Sequence, residues 1–563
     1  MSYAAQARRT LQLLEATPHW KRLQELQPEL DTDTVRAIVE EAAKWAEQVL
    51  APLNTSGDQE GCSLQEGRVR TPPGYPEAYR QFAQSGWLGM TASEGYGGQG
   101  LPLLLYAACE PLFERANMAF MMAPGAVHAA MHLLDSVAEP AVAEEWTPRL
   151  VSGEWAATIC ISEPGAGSDV GRIRTRATRT QSGWRVSGQK VWISFGDHDL
   201  SERIGHCLLA RTSDDPGTRG LSLFLVPNQT ESGAPNGITV GGLEKKMGIH
   251  GSPTCSLIFE HSEAVLLGQA ERGLPQLFRM IEIMRLLVGC QGLGIASGAT
   301  ETALQYAMER RQGGPPREEP LPILRHADVQ RQLLEMESQT EILRATVLEM
   351  ASVMDLARLE PEEAVRAEYA DLAAWMLPLV KTFGAETGFA VASQAIQVLG
   401  GAGYTQDWPL EQAVRDIRIA AIYEGTTGMQ AQDFLMRRLW RDEGRGLSVF
   451  LRQARHEAST LREQFPEISS TAEQVWREFE ELSDRVLDYR STPRQGEAVA
   501  DAYLRAGWIA ASCWMALRLL ETAHGAILSE FVLLTAQENF RVQAKKCLLL
   551  AELLGSRYSE EDA

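Results

Sequence analysis

The stretch WAATICIS, residues 155–162, marks the point where the periodicity of this sequence changes. From here to Glu260 the apolar residues fall in short, β-branched segments separated by turn-forming pairs such as Ser182–Gly183. Seven segments are predicted to be strands: 155–162, 174–180, 183–194, 206–212, 220–227, 237–243 and 254–260. They suffice for a small antiparallel β-barrel or sandwich. Because no helices alternate with them, a doubly wound dinucleotide fold is disfavoured.

Helical periodicity flanks this β insert on both sides. Before it, apolar residues recur at helical spacing over 33–50 and 103–150. After it, the same spacing runs from Leu274 to Trp440, interrupted by a loop rich in proline and glycine at 313–322. The sequence therefore predicts a mainly α-helical protein with a β insert.

The segment GRG, residues 444–446, marks a further boundary. About three more helices are expected beyond it, with breaks at 469–473 and 491–497 and an acidic, frayed tail at 556–563. The predicted domains are a helical N-terminal domain (1–152), the β domain (153–272), a helical bundle (273–443) and a C-terminal helical extension (444–563).

Size and composition are those of an ordinary soluble globular protein. The chain has 563 residues, 44% of them hydrophobic, and a formal net charge of -21. Such an acidic chain is a poor match for nucleic acid, whose non-specific binding is chiefly electrostatic. We find neither an apolar run of membrane-spanning length nor the apolar core of a signal peptide at the N-terminus.

The eight cysteines are scattered through the chain. They form no C-x-x-C pair and no spacing that suits zinc, so no metal site is predicted. Reduced thiols in a cytoplasmic protein are the simplest interpretation.

A second decisive stretch is RDIRIAAIYEGTTGMQ, residues 415–430. Glu424 ends an apolar run and is followed by Gly425, Thr426 and Thr427, which predicts a helix junction with free backbone N–H groups. Such a junction suits a catalytic base. A lone carboxylate at a helix end is more often an ordinary polar residue, so the assignment depends on the rest of the chain.

Three further motifs are ambiguous when each is taken alone. ISEPGAGSD (161–169) fits a plain turn, WIS (192–194) fits a core tryptophan, and Arg310–Arg311 follow a predicted helix. Together with QVLGGAGY (397–404) and IYEGTTGMQ (422–430), however, they occur in an order that resembles the acyl-CoA dehydrogenase flavoprotein family. The resemblance covers about residues 35 to 440.

Other segments resemble the long bacterial branch of that family. These are GDHDLSE (196–202), KMGIHGSPTC (246–255) and the additional C-terminal helices. The branch includes 3-methylmercaptopropionyl-CoA dehydrogenases and broad-range fatty acyl-CoA dehydrogenases. In long relatives the additional helices occupy the place where a second dimer would pack, so the resemblance implies a homodimer.

The resemblance implies a reaction and a cofactor. Family members bind FAD and oxidise an acyl-CoA thioester to the trans-2-enoyl-CoA, and an electron-transfer flavoprotein then accepts the electrons. Glu424 matches the base that removes the α-proton, and its backbone N–H matches a donor to the thioester oxygen. A base in this role is desolvated, and the oxygen needs donors as it gains enolate charge.

The resemblance also implies binding residues. Trp192 is expected to cover one flavin face, and Arg310 to reach the FAD pyrophosphate of the neighbouring subunit. Ser162 and Ser194 stand where the family more often has threonine. The full expected FAD set is Ile159, Cys160, Ile161, Ser162, Gly167, Ser168, Trp192, Ile193, Ser194, Arg310, Gln397, Gly400, Gly401, Thr426 and Thr427. The expected substrate set is Ser168, Glu282, Arg285 and Gly425.

Three alternatives remain open. An acyl-CoA oxidase would share the base and the flavin but react with oxygen. A DNA-binding alkylation-response flavoprotein shares the fold and a C-terminal extension, but it needs a basic extension, whereas residues 447–563 are acidic on balance. A protein that kept the fold and lost the activity is the third, and the intact Glu424 argues against it.

Overall fold

The structure is a computed structural model that describes residues 3–522 and 525–557. Within them the chain forms sixteen α-helices and nine strands. The helices are α1 (Tyr3–Glu15), α2 (Pro18–Leu26), α3 (Thr32–Trp45), α4 (Pro52–Glu60), α5 (Tyr75–Gln84), α6 (Leu103–Val137), α7 (Pro140–Val151), α8 (Gly273–Glu309), α9 (Ala327–Leu359), α10 (Glu363–Leu399), α11 (Leu410–Ile417), α12 (Thr427–Gln432), α13 (Arg445–Leu461), α14 (Pro466–Leu487), α15 (Pro493–Leu519) and α16 (Gly525–Arg557). The strands are β1 (Ser63–Gln65), β2 (Arg68–Arg70), β3 (Trp155–Cys160), β4 (Arg176–Thr180), β5 (Gly183–Ser194), β6 (Arg203–Arg211), β7 (Leu221–Pro227), β8 (Ile238–Leu243) and β9 (Thr254–Leu267).

The chain divides into two compact units. We call residues 1–44, 103–115 and 285–563 the helical unit, and residues 45–102 and 116–284 the barrel unit. The chain passes from one unit to the other within α6 and within α8. In α6 the change lies next to Asn117, whose backbone leaves helical geometry at φ -163° and ψ 85°. The Asn117 side chain accepts a hydrogen bond from the Phe120 N–H at 3.0 Å, which caps the helix where it restarts.

The β insert is present as predicted, with a strand in each of the seven predicted segments. The order β6–β4–β5–β9–β7 closes on itself because β7 also pairs with β6, while β3 adds to β6 and β8 adds to β9. Alternate side chains of these strands fill the interior, among them Cys160, Val186, Leu208, Phe224 and Leu257.

Two details of the β structure differ from the prediction. The barrel is mixed rather than antiparallel, because β3 and β4 both run parallel to β6. The long connection over residues 161–202 permits the parallel pairing of β3 with β6, whereas a hairpin turn would not. In addition, β1 and β2 form a hairpin inside a region predicted to be helical throughout. Its two turn residues, Glu66 and Gly67, both have positive φ, as a two-residue hairpin turn requires.

In the helical unit, α8 and α10 cross at very short distance. A Cβ atom added to Gly292 would lie 1.8 Å from the carbonyl oxygen of Gly384, so glycine is required at this crossing. Both helices contribute residues to the candidate site described below. α8 is also long and apolar enough to span a membrane, but 94% of its most apolar window is buried, which is typical of a core helix in a soluble protein.

The C-terminal extension contains four described helices, α13 to α16, rather than about three. The break predicted at 469–473 is wrong, since that segment lies inside α14; the chain breaks instead at 462–465, before Pro466 begins the helix. The break predicted near 491–497 occurs before Pro493. Beyond Arg557 the predicted acidic tail lies outside the described residues. All eight cysteines lie within the described part, and all are free thiols.

Candidate active site

Glu424 lies in a tight, irregular segment of the helical unit. α11 is followed by a 3₁₀ turn at Arg418–Ala421, and α12 starts only at Thr427. In between, Glu424 has φ +55° and Gly425 has φ +93°. A left-handed backbone is uncommon for glutamate and costs about 1 to 3 kcal/mol, so the surrounding structure must hold it.

Two buried side chains donate hydrogen bonds to the backbone of Glu424 and Gly425. The Gln430 side-chain amide donates to the carbonyl oxygens of Glu424 at 3.0 Å and Gly425 at 3.3 Å. The Lys381 ammonium, on α10, donates to the Gly425 oxygen at 2.6 Å. Neither residue is among those predicted from the sequence. The signal for Lys381 was a lone charge within the apolar run MLPLVKTFGA, residues 376–385.

Burial and two cations set the ionisation of Glu424. Glu424 is half-buried as a residue, removal of its carboxylate from bulk water raises the pKa, and the charges of Arg285 and Lys381 offset only part of that rise. Burial lowers the pKa of Lys381 to about 8, against the opposing effect of Glu424. The result is a carboxylate more basic than an ordinary glutamate, with positive charge close to it.

Arg285 is therefore part of the environment of Glu424. Its guanidinium is buried and donates to Asp433 at 3.0 Å. Asp433 also lies 3.5 Å from Arg437 and 3.6 Å from Arg438. Arg285 is predicted from the family resemblance to bind substrate, and in the structure its charge also lowers the pKa of Glu424.

Neutral groups are buried beside the residue that precedes Glu424. The Tyr423 hydroxyl donates to the side-chain oxygen of Gln291. Burial and the nearby Glu110 raise the pKa of Glu114 well above its usual value, and burial raises that of Glu110 to about 8. Both shifts favour the neutral acid, which reduces the negative charge beside Tyr423.

The threonines that follow Gly425 have partners within the protein. Thr426 caps α12 by accepting from the Met429 N–H at 3.4 Å. The Thr427 hydroxyl donates to Glu386 at 3.1 Å, and Glu386 in turn pairs with Arg505 at 2.8 Å. Since Arg505 lies on α15, the C-terminal extension supports the segment next to Glu424.

In the barrel unit, Trp192 is 63% exposed, although both its neighbours along β5 are buried. A register shift in the pairing of β5 with β9 falls between Lys190 and Ile193, and Trp192 itself has φ +64°. A bulge of this kind re-aims a side chain. The indole ring is therefore presented at the barrel surface instead of packing in the core.

The structure places the segment around Ser162 next to this tryptophan. The Val191 N–H donates to the Ser162 carbonyl oxygen at 2.9 Å. The fully buried Lys190 donates to the Ile161 oxygen at 2.9 Å and to Glu163 at 2.8 Å. The two β-domain motifs, ISEPGAGSD and WIS, thus form one continuous surface.

Not every residue of these motifs presents its side chain to that surface. The side chains of Cys160 and Ile193 belong to the barrel core, so only their backbone groups are available to a ligand. Ile159, Ile161, Ser162 and Ser194 are half-buried. Gly167 and Ser168 are exposed.

The remaining predicted residues lie at helix ends and on a helix surface. Arg310 is the first residue after α8 and is exposed. Gln397 lies in the last turn of α10, followed by Gly400 and Gly401, where an added Cβ would meet open space. Glu282, expected to bind substrate, lies on α8 at 3.8 Å from Arg279.

Comparison with known proteins gives matches along most of the chain. Three models match in order: the N-terminal domain of acyl-CoA dehydrogenase at residues 32–154, its middle domain at 158–262 and its C-terminal domain at 271–439. The chain belongs to the acyl-CoA dehydrogenase family. The resemblance drawn from the sequence motifs is confirmed.

Two curated members of this family cover most of the chain. The 3-methylmercaptopropionyl-CoA dehydrogenase of Ruegeria pomeroyi is 39% identical over 457 residues, 79% of this chain and 78% of the relative. The broad-specificity linear acyl-CoA dehydrogenase FadE5 of Mycobacterium tuberculosis is 35% identical over 448 residues, 75% of this chain and 72% of the relative. These are the two kinds of long bacterial enzyme that the sequence resembled.

Solved structures of acyl-CoA dehydrogenases share the fold, including the extension. A Bacillus anthracis acyl-CoA dehydrogenase complexed with FAD has a TM-score of 0.76 at 22% identity and covers 94% of this chain and 93% of its own. The Caenorhabditis elegans ACDH-11, in complex with C11-CoA, has a TM-score of 0.73 at 20% identity, and the match covers 98% of this chain and 91% of ACDH-11. The predicted fold class is confirmed, as is the enzyme class, that of FAD-dependent acyl-CoA dehydrogenases.

The residues of the barrel surface fit such a cofactor. An exposed indole face lies beside the backbone of Ile161 and Ser162 and on the same strand as Ser194. A flat aromatic ring system with polar edges can stack on the indole ring and form hydrogen bonds with the backbone of Ile161 and Ser162 and with the Ser194 hydroxyl.

Proposed function

We propose that this chain oxidises an acyl-CoA thioester to the trans-2-enoyl-CoA, with Glu424 as the base that removes the α-proton. The observation that carries the proposal is the state of Glu424. The residue is half-buried, burial raises its pKa, and its backbone is held by hydrogen bonds from Gln430 to its own carbonyl oxygen and from Lys381 to the carbonyl oxygen of Gly425. An α-C–H next to a thioester is a poor acid. A desolvated carboxylate at a fixed position is what its removal requires.

The strained backbone supports the same step. With φ +55°, Glu424 cannot continue the helical hydrogen bonding of the segment before it. Its N–H is proposed to donate to the thioester oxygen, where negative charge grows as the proton leaves. Arg285 and Lys381 place two positive charges near this developing charge.

FAD, when bound, supplies the acceptor for the hydride that leaves the β-carbon. We assign its ring system to Trp192, Ser162 and Ser194, with the backbone of 159–161, Ile193, Gly167 and Ser168 nearby. Arg310, Gln397, Gly400, Gly401 and the Thr426–Thr427 pair are assigned to its phosphate and adenosine parts. The CoA ester is assigned to Ser168, Glu282, Arg285 and Gly425.

The electron acceptor and the assembly complete the proposal. We assign an electron-transfer flavoprotein as the acceptor and a cytoplasmic homodimer as the working form. The eight free cysteines support a reducing compartment. The proposed four-domain division keeps the extension, residues 444–563, as a support for the bundle through Arg505 and Glu386.

The decisive experiment is anaerobic reduction of the FAD-loaded protein by a panel of acyl-CoA esters, followed by flavin absorbance. At least one ester is expected to bleach the flavin. Repeating the reaction under air, with an assay for peroxide, separates a dehydrogenase from an oxidase. If no ester in a panel of short, long, branched and thioether-containing acyl groups bleaches the bound flavin, the proposal is wrong.

Glu424→Gln tests the base directly. The variant keeps the size of the side chain but cannot accept the proton, so bleaching is expected to slow by at least about 100-fold. Glu443→Gln is a matched control, because Glu443 also has a left-handed backbone, at φ +53°, but is exposed. Equal rates in the two variants would remove Glu424 from the role of base.

A further inference from the structure

Helix α15 of the extension is attached to α10 just beyond Lys381. The Arg505 guanidinium donates to both carboxylate oxygens of Glu386, at 2.8 and 3.3 Å. The Trp508 ring stacks on Phe383, with ring centres 4.6 Å apart and planes 9° from parallel. Because the two contacts are three residues apart on each helix, they share one face of α10 and one face of α15. Both contacts lie within five residues of Lys381 in the chain.

The contact with Glu386 continues to the segment that carries the candidate base. The Thr427 hydroxyl donates at 3.1 Å to the same Glu386 oxygen that accepts the longer bond from Arg505. Thr427 is the first residue of α12, and Gln430 of that helix donates to the Glu424 carbonyl oxygen at 3.0 Å. A series of hydrogen bonds therefore connects Arg505 of the extension to the backbone of Glu424.

Helix α15 also packs against the residues that follow α12. Gly507 lies so close to Phe434 that an added Cβ atom would be 2.7 Å from its ring. The Phe434 ring also packs beside Tyr503 of α15, with ring centres 5.3 Å apart, and both side chains are buried. One helix of the extension thus constrains α12 at both ends, through Thr427 at its start and through Phe434 after its end.

The geometry of the Arg505 pair suits a positioning role. A guanidinium that donates to both oxygens of a carboxylate fixes the orientation of that carboxylate as well as its distance. Arg505 is itself held, because its Nε donates to Asp501, one turn earlier on α15, at 3.0 Å. Glu386 therefore presents an oriented oxygen to Thr427, whereas a glutamate without this partner could turn towards solvent.

We propose that Arg505 is a positioning residue for the oxidation of the acyl-CoA ester, acting on Glu424 through Glu386 and Thr427, a role that rests on the proposed function. The extension then contributes to the chemistry as well as to the stability of the bundle. Loss of Arg505 displaces the base without removing a contact to the ester. The rate of flavin reduction therefore falls, while the affinity for the ester is retained.

Arg505→Met in the FAD-loaded full chain provides the first test, by anaerobic stopped flow with the ester that reduces the wild-type flavin fastest. The maximal rate is expected to fall about 10- to 100-fold, as for a base displaced by a fraction of an ångström to about 1 Å. The ester concentration that gives the half-maximal rate is expected to stay at the wild-type value. Arg505→Lys keeps the charge but not the planar fork, so it is expected to recover part of the rate.

Arg452→Met is the matched control. Arg452, on α13 of the extension, also pairs with a glutamate of α10, because it donates to Glu368 at 2.6 Å. Glu368 lies roughly 20 Å along α10 from Lys381, at about 1.5 Å per residue. This variant therefore removes an ion pair between the extension and α10 away from the base, and both kinetic constants are expected to be unchanged.

Hydrogen exchange provides a measurement that needs no reaction. Exchange of the backbone amides of residues 423–432 is expected to be at least about tenfold faster in Arg505→Met than in wild type, because α12 opens more often. In Arg452→Met it is expected to be unchanged. If no ester reduces the wild-type flavin, the proposed function is wrong, and exchange at 423–432 still decides whether Arg505 holds this segment.

Several results would overturn the role of Arg505. A wild-type maximal rate or wild-type exchange at 423–432 in Arg505→Met would show that the contacts do not reach the base. An equal loss of rate in Arg452→Met would assign the effect to general loosening of the extension. A change confined to the half-saturating ester concentration would assign Arg505 to substrate binding. If the methionine variant does not fold, the same measurements on Arg505→Lys decide.

Discussion

The ammonium group of Lys381 donates a hydrogen bond of 2.6 Å to the carbonyl oxygen of Gly425, the residue directly after Glu424. Lys381 is completely buried. The same charge therefore has two effects, because it holds the backbone of the candidate base in place and lowers the pKa of its carboxyl group. The two effects can be separated by measurement.

Lys381→Met is expected to move the pH dependence of flavin reduction. Without the positive charge, the pKa of Glu424 rises further, so the acid limb of the rate profile shifts to higher pH. The measurement is anaerobic stopped-flow reduction from pH 5 to pH 9. Lys21→Met, an exposed lysine of the same unit, is the control. An acid limb at the wild-type position would show that Lys381 acts on the backbone alone.

Gly425→Ala is expected to disturb the base through the backbone. A Cβ atom here would lie 2.7 Å from the Gln430 amide nitrogen, and φ of +93° is strained for alanine. The expected cost is about 1 to 3 kcal/mol of stability, with flavin reduction about 10- to 100-fold slower.

Gly428→Ala is the matched control for that variant. Gly428 lies three residues further on, its φ is not in the left-handed region, and the nearest heavy atom to an added Cβ is 3.9 Å away. Urea unfolding and stopped-flow rates for the two variants make the comparison. Equal behaviour would mean that the hydrogen bonds from Gln430 do not constrain Glu424.

Trp192→Ala is expected to weaken FAD binding and to leave the fold intact. Since 63% of this side chain is exposed, few core contacts are lost. Loss of stacking on the flavin, at about 0.5 to 1.5 kcal/mol, is expected to raise the dissociation constant of FAD by up to about tenfold. Trp192→Phe keeps a stacking face and should recover most of the affinity. Fluorescence titration of the apoprotein with FAD measures both, and wild-type affinity in the alanine variant would exclude the assignment.

The attachment of the C-terminal extension is expected to be sensitive to acid. Burial would raise the pKa of Glu349, but Arg518 of α15 and His19 lower it to about 2. Because the folded-state pKa lies below the usual 4.5, the ionised carboxylate stabilises the fold above pH 4.5. This contribution to the free energy of unfolding is about 3 kcal/mol, and it is lost as pH falls from 4.5 towards 2.

Acid unfolding of the full chain checks this expectation. Glu349→Gln is expected to flatten the fall in stability between pH 4.5 and 2 and to be less stable than wild type at pH 7. Glu25→Gln serves as the control, because Glu25 makes an exposed pair with Arg22. A wild-type slope in Glu349→Gln would assign the acid sensitivity to other groups.

Much of the fold followed from local patterns. The β insert was predictable because its period of two and its turn pairs contrast with the helical repeats around it. The parallel pairing of β3 with β6 was not, since nothing in a strand records the direction of its neighbour. The missed hairpin at Ser63–Arg70 is too short to show a period.

In the candidate site, too, some features were predictable from the sequence and others were not. Glu424, Trp192 and the glycine-containing motifs were recognisable because their residue types and order survive in the sequence. The exposure of Trp192 was not, because it depends on a bulge in the pairing with β9, about sixty residues away in the chain.

By itself the sequence determined the fold class, the family resemblance and the identity of the candidate base. Only the tertiary structure decided what acts on that base: Lys381 from α10 and Arg285 from α8 converge on it from distant parts of the chain, and Gln430 of α12 folds back onto it from six residues further on. Desolvation and hydrogen bonding depend on which atoms are neighbours in space. Helix packing, and not the order of residues, sets those neighbours.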